Sequence, residues 1–216
     1  MWDIKYHLAR DVYTPVLEHV SRTKSVKYSE IVKLSQKLRD VTPVTFNSLL
    51  SSHRLHQSPS PMLSYLCSQY QFHSKHLRTP EFCTVNIHTR LAVLLLHKPA
   101  LVGALLENPA NPLSTEFAPS LLSANRCASF LTQNMVGQFE KQPEPYLRFW
   151  FPWVQGFCAA MISGSIGVRS PGCPLAGNAI GDLSSMVELF QKGKARGCRR
   201  ASVALVGQRC LVAQET

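Results

Sequence analysis

Apolar residues recur along this chain at helical spacing. In residues 28–41, Tyr28, Ile31, Val32, Leu34, Leu38 and Val41 form one broad stripe with Lys and Asp opposite. A period of three to four residues is that of an amphipathic helix. Residues 5–20 carry a similar pattern interrupted by Pro15, and 62–77 line up Leu63, Leu66, Tyr70, His73 and Leu77 before a break at Pro80. Ile87, Leu91, Leu94 and Leu95 then share a face, and Pro99 is predicted to end or kink that helix. Asn108-Pro109 closes a short following segment. Residues 119–139 are strongly amphipathic: Leu121, Ala124, Ala128, Leu131 and Met135 align, flanked by Leu122, Cys127, Phe130 and Phe139. Residues 175–190 place Ala176, Ala179, Ile180, Leu183, Val187 and Phe190 on one face and Asp182, Ser184 and Glu188 on the other. The last pattern, 198–214, carries Ala201, Leu205, Val206, Cys210 and Leu211. Between these lie "EKQPEP", the glycine-rich "SGSIGVRSPGCPLAG", and "TPVTFNSLLSSHRLHQSPSP" over 42–61. That last stretch is rich in Ser and Pro, has no sustained period, and is predicted as a flexible linker. No segment of useful length has the alternation of a strand. The expected fold is an all-α array of about eight helices.

One stretch, "LRFWFPWVQGFCAAMI" over 147–162, holds two of the chain's three Trp and three of its ten Phe. A bilayer-spanning helix needs about 20 predominantly apolar residues. The apolar run is shorter, and Ser163-Gly164-Ser165 is predicted to end it. Pro152 near its start is tolerated in a first helical turn. Trp153, Val154, Phe157, Cys158, Met161 and Ile162 fall on every face, which predicts a buried central helix and no membrane span.

Composition sharpens this picture. At 216 residues the chain fits one domain or a large piece of one. The apolar fraction is 45%, enough for a sizeable core, while only 17% of residues are charged, against roughly 25% in ordinary soluble domains. A net charge of +10 favours anionic partners in general terms. Its densest part is "KGKARGCRR", with Lys192, Lys194, Arg196, Arg199 and Arg200. That segment reads as a solvated turn and first helical turn, or as a patch for nucleic acid or an acidic partner. No aromatic interleaves it, as single-strand binding would prefer. The seven Cys (67, 83, 127, 158, 173, 198 and 210) are odd in number and widely spaced. With no C-x-x-C and no targeting pattern at "MWDIKYHLARD", they read as small buried hydrophobes in a reducing compartment.

Four places could carry chemistry. The loop over 164–177 has no Lys and follows no strand, so it lacks what a phosphate-binding loop requires. Ser163-Gly164-Ser165-Ile166-Gly167 falls one residue short of a nucleophile elbow, because Ser163 stands where Gly is needed. His53 with His56, and His73 with His76, have a spacing that could present two imidazoles on one face, but the first pair lies in the linker and the second has no suitably spaced carboxylate or Cys partner, so both read as polar or half-buried packing. Asp182 lies on a polar face and Glu107 reads as a helix cap. No nucleophile, base and orienter come together, so no catalytic, cofactor-binding or metal-ligating residue is nominated.

The order of segments resembles the middle homology region of fungal-specific transcription factors, the regulatory domain that accompanies a binuclear zinc cluster. "WDIKYHLARDVYTP" and "YSEIVKLSQKLRDVTP" look like its leading segments. "VNIHTRLAVLLLHKPAL" looks like its helix ending in Leu-His-Arg-Pro, here Leu96-His97-Lys98-Pro99. "SANRCASFLTQNM", with Ser123, Cys127, Ala128 and Ser129, is similar to its Ser-x-x-x-Cys-x-x-Ala-Ala helix, and "CRRASVALVGQRC" to its closing helix. The aromatic stretch, the glycine-rich loop and the helix after it resemble the family's buried aromatic helix, its loop and its next helix. Lys98 stands for the family's Arg, and Ser129 for its second Ala.

The resemblance implies that residues 1–216 are a partial fungal-specific transcription factor regulatory domain, the later part of a larger regulator acting in the nucleus. The zinc cluster, basic linker and dimerising coiled coil are absent from this chain. The resemblance therefore implies no cofactor here, with zinc expected only in the missing DNA-binding domain. DNA would be reached only through that domain. The implied partners are the transcription machinery or co-regulator proteins, and a small-molecule inducer in an internal pocket. The chain is expected not to be an enzyme. The alternative is a helical protein-interaction scaffold without a transcriptional role.

Overall fold

The computed structural model describes Tyr6 and residues 8–21, 27–38 and 80–205, and every regular element among them is helical. A π-helical turn, Leu8–Tyr13, runs into helix α1, Thr14–Val20. Helix α2 covers 28–38. Helix α3 is Pro80–Glu107, followed by a 3-10 turn at Pro112–Ser114. Then come α4, Ala118–Lys141; α5, Glu144–Arg148; α6, Phe151–Arg169; and α7, Ala176–Ala195. The last described helix, α8, covers 199–205. The array is all-α, as its periodicity predicts. The Ser/Pro linker at 42–61, the pattern at 62–77 and the histidine pairs lie outside the described residues.

The chain forms two compact units, Met1–Leu96 and His97–Thr216. In the first, Val16, Ile31, Leu38, Leu91 and Leu94 are buried. Pro15 does not break the run of turns. It sits in the first turn of α1, directly after the π-helical turn, where its fixed φ suits a helix. The Tyr13 hydroxyl and His88 Nδ1 are hydrogen-bonded at 2.5 Å, and burial pushes the Tyr13 phenol well above its ordinary range.

The second unit is built around α6, which packs against both α4 and α7 while those two also touch. The α4 stripe is as predicted: Leu121, Ala124, Ala128, Leu131 and Met135 are all buried. Buried Ser120 bonds His97 Nδ1 through its hydroxyl at 2.8 Å.

Three boundaries differ from expectation. Pro99 does not end its helix, because α3 continues through it to Glu107. Glu107 is the last helical residue and not a cap: the end is closed by the Asn108 backbone N–H, which donates to the Ala104 carbonyl at 3.2 Å, while Asn108 Oδ1 accepts from the Asn111 N–H in the turn beyond. Ser163-Gly164-Ser165 does not end α6 either. Ser163 is fully buried, the Ser165 hydroxyl donates back to the Met161 carbonyl at 2.8 Å, and Gly164 lies under Leu183. Packing on two neighbours outweighs the cost of about 1 kcal/mol that glycine imposes on a helix. The glycine-rich connection therefore shrinks to residues 170–175.

Between its buried large residues, which include Trp153, Ile162 and Ile166, α6 carries a stripe of small buried ones: Gly156, Ala159, Ala160, Ser163 and Gly167. A methyl on Gly167 would lie 2.7 Å from Ile180 Cγ1, so the backbones approach closely there. The α7 stripe is correspondingly rotated. Met186, Leu189 and Phe190 are its buried centre with Ala176 and Ala179, while Ile180 is 48% exposed.

Candidate docking groove

Helix α6 enters the core through an aromatic cluster. Trp153, only 2% exposed, meets Phe139 at 6.0 Å, Tyr146 at 6.5 Å and Phe190 at 5.9 Å between ring centroids. Its indole N–H donates to the Tyr146 carbonyl at 2.6 Å, which satisfies the one polar atom of a buried Trp. The Arg196 guanidinium lies over the Phe139 ring, 5.4 Å from its centroid. The prediction that this segment is a core helix holds for Trp153 and Ile162, while Phe157, Cys158 and Met161 are half-buried. It does not hold for its first turn, because Trp150 is 58% exposed and Val154 40%.

Those exposed positions line a groove of about 770 Å³ with Leu147, Trp153 and Phe157, closed on its other side by Cys198, Val203 and Ala204 of the turn and α8. Val203 is 68% exposed. Gly197, at φ +79°, makes the reversal between α7 and α8 that a side chain would strain. Arg199 and Arg200 stand in the groove wall, and among the described residues no carboxylate does. Arg200 Nη1 donates to the Arg148 carbonyl at 2.9 Å and so ties α8 to the end of α5.

The structure thus divides the basic segment. Lys192 belongs to α7 and pairs with Glu188 at 2.8 Å, which raises its pKa. Arg196 is engaged with Phe139, while Arg199 and Arg200 face the groove beside Trp150. No aromatic interleaves the segment in sequence, yet folding brings one to it.

The other candidate positions have structural roles. Asp182 is not a free polar-face residue, because its carboxylate accepts a short hydrogen bond from Ser129. Ser163 and Ser165 sit within helix α6, so the near-elbow has no elbow geometry. Cys127, Cys173 and Cys198 are buried, and half-buried Cys158 has its thiol pushed up by burial, partly offset by Lys98. Among the described residues no group of three or more His, Cys, Asp or Glu could hold a metal ion.

The extension of α6 removes the length argument against a membrane span. Ile87–Glu107 and Phe151–Arg169 are both long and apolar enough to cross a bilayer, with mean hydropathy 1.4 and 1.2. About half of each window, 56% and 50%, is buried inside the protein, as in core helices. No family model matches the chain, and neither does any curated protein or solved structure.

Proposed function

We propose that this chain is a helical regulatory module of a transcription regulator resembling the fungal-specific kind, and that it works by docking partners rather than by catalysis. The observation that supports this best is α6, an aromatic helix at the centre of an all-α unit, in the chain position where the resemblance expects one. On this reading the partners are the transcription machinery or co-regulators, and the place of action is the nucleus. On the same reading, DNA contact and zinc would be supplied by the family's zinc-cluster domain, whose six-cysteine pattern these 216 residues do not contain. The test is a fusion of the full chain to an unrelated DNA-binding domain in a fungal reporter strain. Reporter expression should change, and the coding sequence upstream should encode a six-cysteine cluster. An indifferent reporter with no such cluster refutes the proposal. The open apolar groove favours a second reading, a protein-interaction scaffold, which predicts a silent reporter and a retained partner.

A further inference from the structure

We infer that the groove between the start of α6 and α8 receives an acidic amphipathic peptide helix. Three features select that occupant. The first is the floor: Leu147, Trp150, Val154, Phe157, Val203 and Ala204 present apolar surface, much of it exposed on large side chains. Such a channel suits a helix offering apolar anchors at i, i+3 or i+4, and i+7. The second is the charge. Arg199 and Arg200 line the groove and Arg148 adjoins it, and none of the three has a carboxylate partner among the described residues. Uncompensated arginines around an apolar floor complement a peptide with Asp and Glu beside its anchors, and raise its association rate. The third is chemistry that disfavours nucleic acid. A single strand needs exposed ring faces in succession along a phosphate track. Here Trp153 is buried edge and face, and of the groove's rings only Trp150 is substantially open.

The inference goes beyond the transcriptional reading, because a scaffold would use the same groove; a silent reporter leaves it standing. The probe is a fluorescein-labelled designed peptide of about 15 residues, with Leu and Phe at the anchor positions and Glu and Asp elsewhere. Controls are a scrambled peptide of the same composition and a version with Lys in place of the acids. Titration with the full chain should give saturable binding to the acidic peptide alone, weakening as salt rises. Trp150→Ala should weaken it roughly tenfold by removing an anchor surface, and Arg199→Glu should do so by reversing the charge. Arg126→Glu, on the exposed side of α4, should leave it unchanged. Both groove positions are exposed, and an unaltered circular dichroism melt establishes that each variant is folded. Equal binding of the Lys peptide, no binding of the acidic one, or loss with Arg126→Glu equal to that with Arg199→Glu overturns the inference. So does displacement of the probe by a single-stranded oligonucleotide or by dodecanoate at lower concentration than by unlabelled peptide. A stable dimer by light scattering that Trp150→Ala dissolves would assign the groove to a second copy and likewise overturn it.

Discussion

Gly193 sits in the last turn of α7, and a methyl group there has nowhere to go. It would overlap Trp153 Cη2 and lie 2.8 Å from Ala201 Cβ. The indole cannot swing aside cheaply. It is 2% exposed, wedged among Phe139, Tyr146 and Phe190, and held by its bond to the Tyr146 carbonyl. Overpacking a core of this kind costs about 1–3 kcal/mol, and a buried donor pulled from its acceptor costs about 1–3 more. Against this stands at most about 1 kcal/mol gained by replacing glycine in a helix, less near a helix end. Gly193→Ala should therefore lose about 2 kcal/mol net, a fall of about 4–8 °C in Tm for a chain of this size. Two further glycines calibrate the figure. Gly181, exposed on the same helix with nothing within 4 Å of an added methyl, should gain about 0.5–1 kcal/mol as Ala. Gly156 would press on Met186 Cε and Met135 Sδ. These are ends of flexible chains, and the cost should stay within about 1 kcal/mol of zero. Thermal melts of the three variants, followed by circular dichroism, give the order Gly181→Ala, Gly156→Ala, Gly193→Ala. A Gly193→Ala melt equal to or above the parent would show that the indole is not fixed, and would refute the reasoning.

Trp153→Ala should cost about 3–5 kcal/mol in urea unfolding, a large part of a stability of about 5–15 kcal/mol. Half-buried Phe157→Ala should cost clearly less, and equal costs would place Phe157 in the core. Tyr13 supplies a pH test. Burial raises its folded pKa above the ordinary 10.0, so stability is full below pH 10 and falls above it, as the unfolded chain releases a proton that the folded chain retains. Tyr13→Phe should flatten that alkaline decline, and an unchanged decline assigns it elsewhere. In duplex titrations the chain alone should show only weak, salt-sensitive association, with Kd of roughly 10⁻⁴–10⁻⁶ M. A sequence bound about a thousandfold tighter than random would reveal an unrecognised reader.

The helices were legible wherever large apolar residues repeat on one face, as in α4, whose five aligned positions are all buried. The extent of α6 was not. Ser163-Gly164-Ser165 carries local turn signals, and packing on α4 and α7, with Leu183 over Gly164, overrides them. The stripe of α7 was misplaced for a related reason. Gly167 opposite Ile180 lets that helix seat rotated, with Met186 and Leu189 inward, and no period within 175–190 reports what the facing helix omits. The groove was half legible. Both its aromatic and its basic segments stood out, about 40 residues apart in the chain, but their meeting depends on the reversal at Gly197 and on the Arg200 tie to Arg148. Nothing local in a sequence encodes such a juxtaposition.

The small-residue face of α6 sets how this protein can change over time. Most core positions tolerate exchange among apolar side chains of similar size, since total volume and pattern are what a core requires. At Gly156, Ala159, Ala160, Ser163 and Gly167 the constraint is one of volume rather than polarity. A serine or an alanine is admissible at several of these sites, and a leucine at few. Neighbouring side chains can absorb an added methyl only where their ends are flexible, as Met135 and Met186 are at Gly156. Diverged copies of this unit should therefore keep a row of small residues in α6, and should alter α7 in compensation when one of them grows.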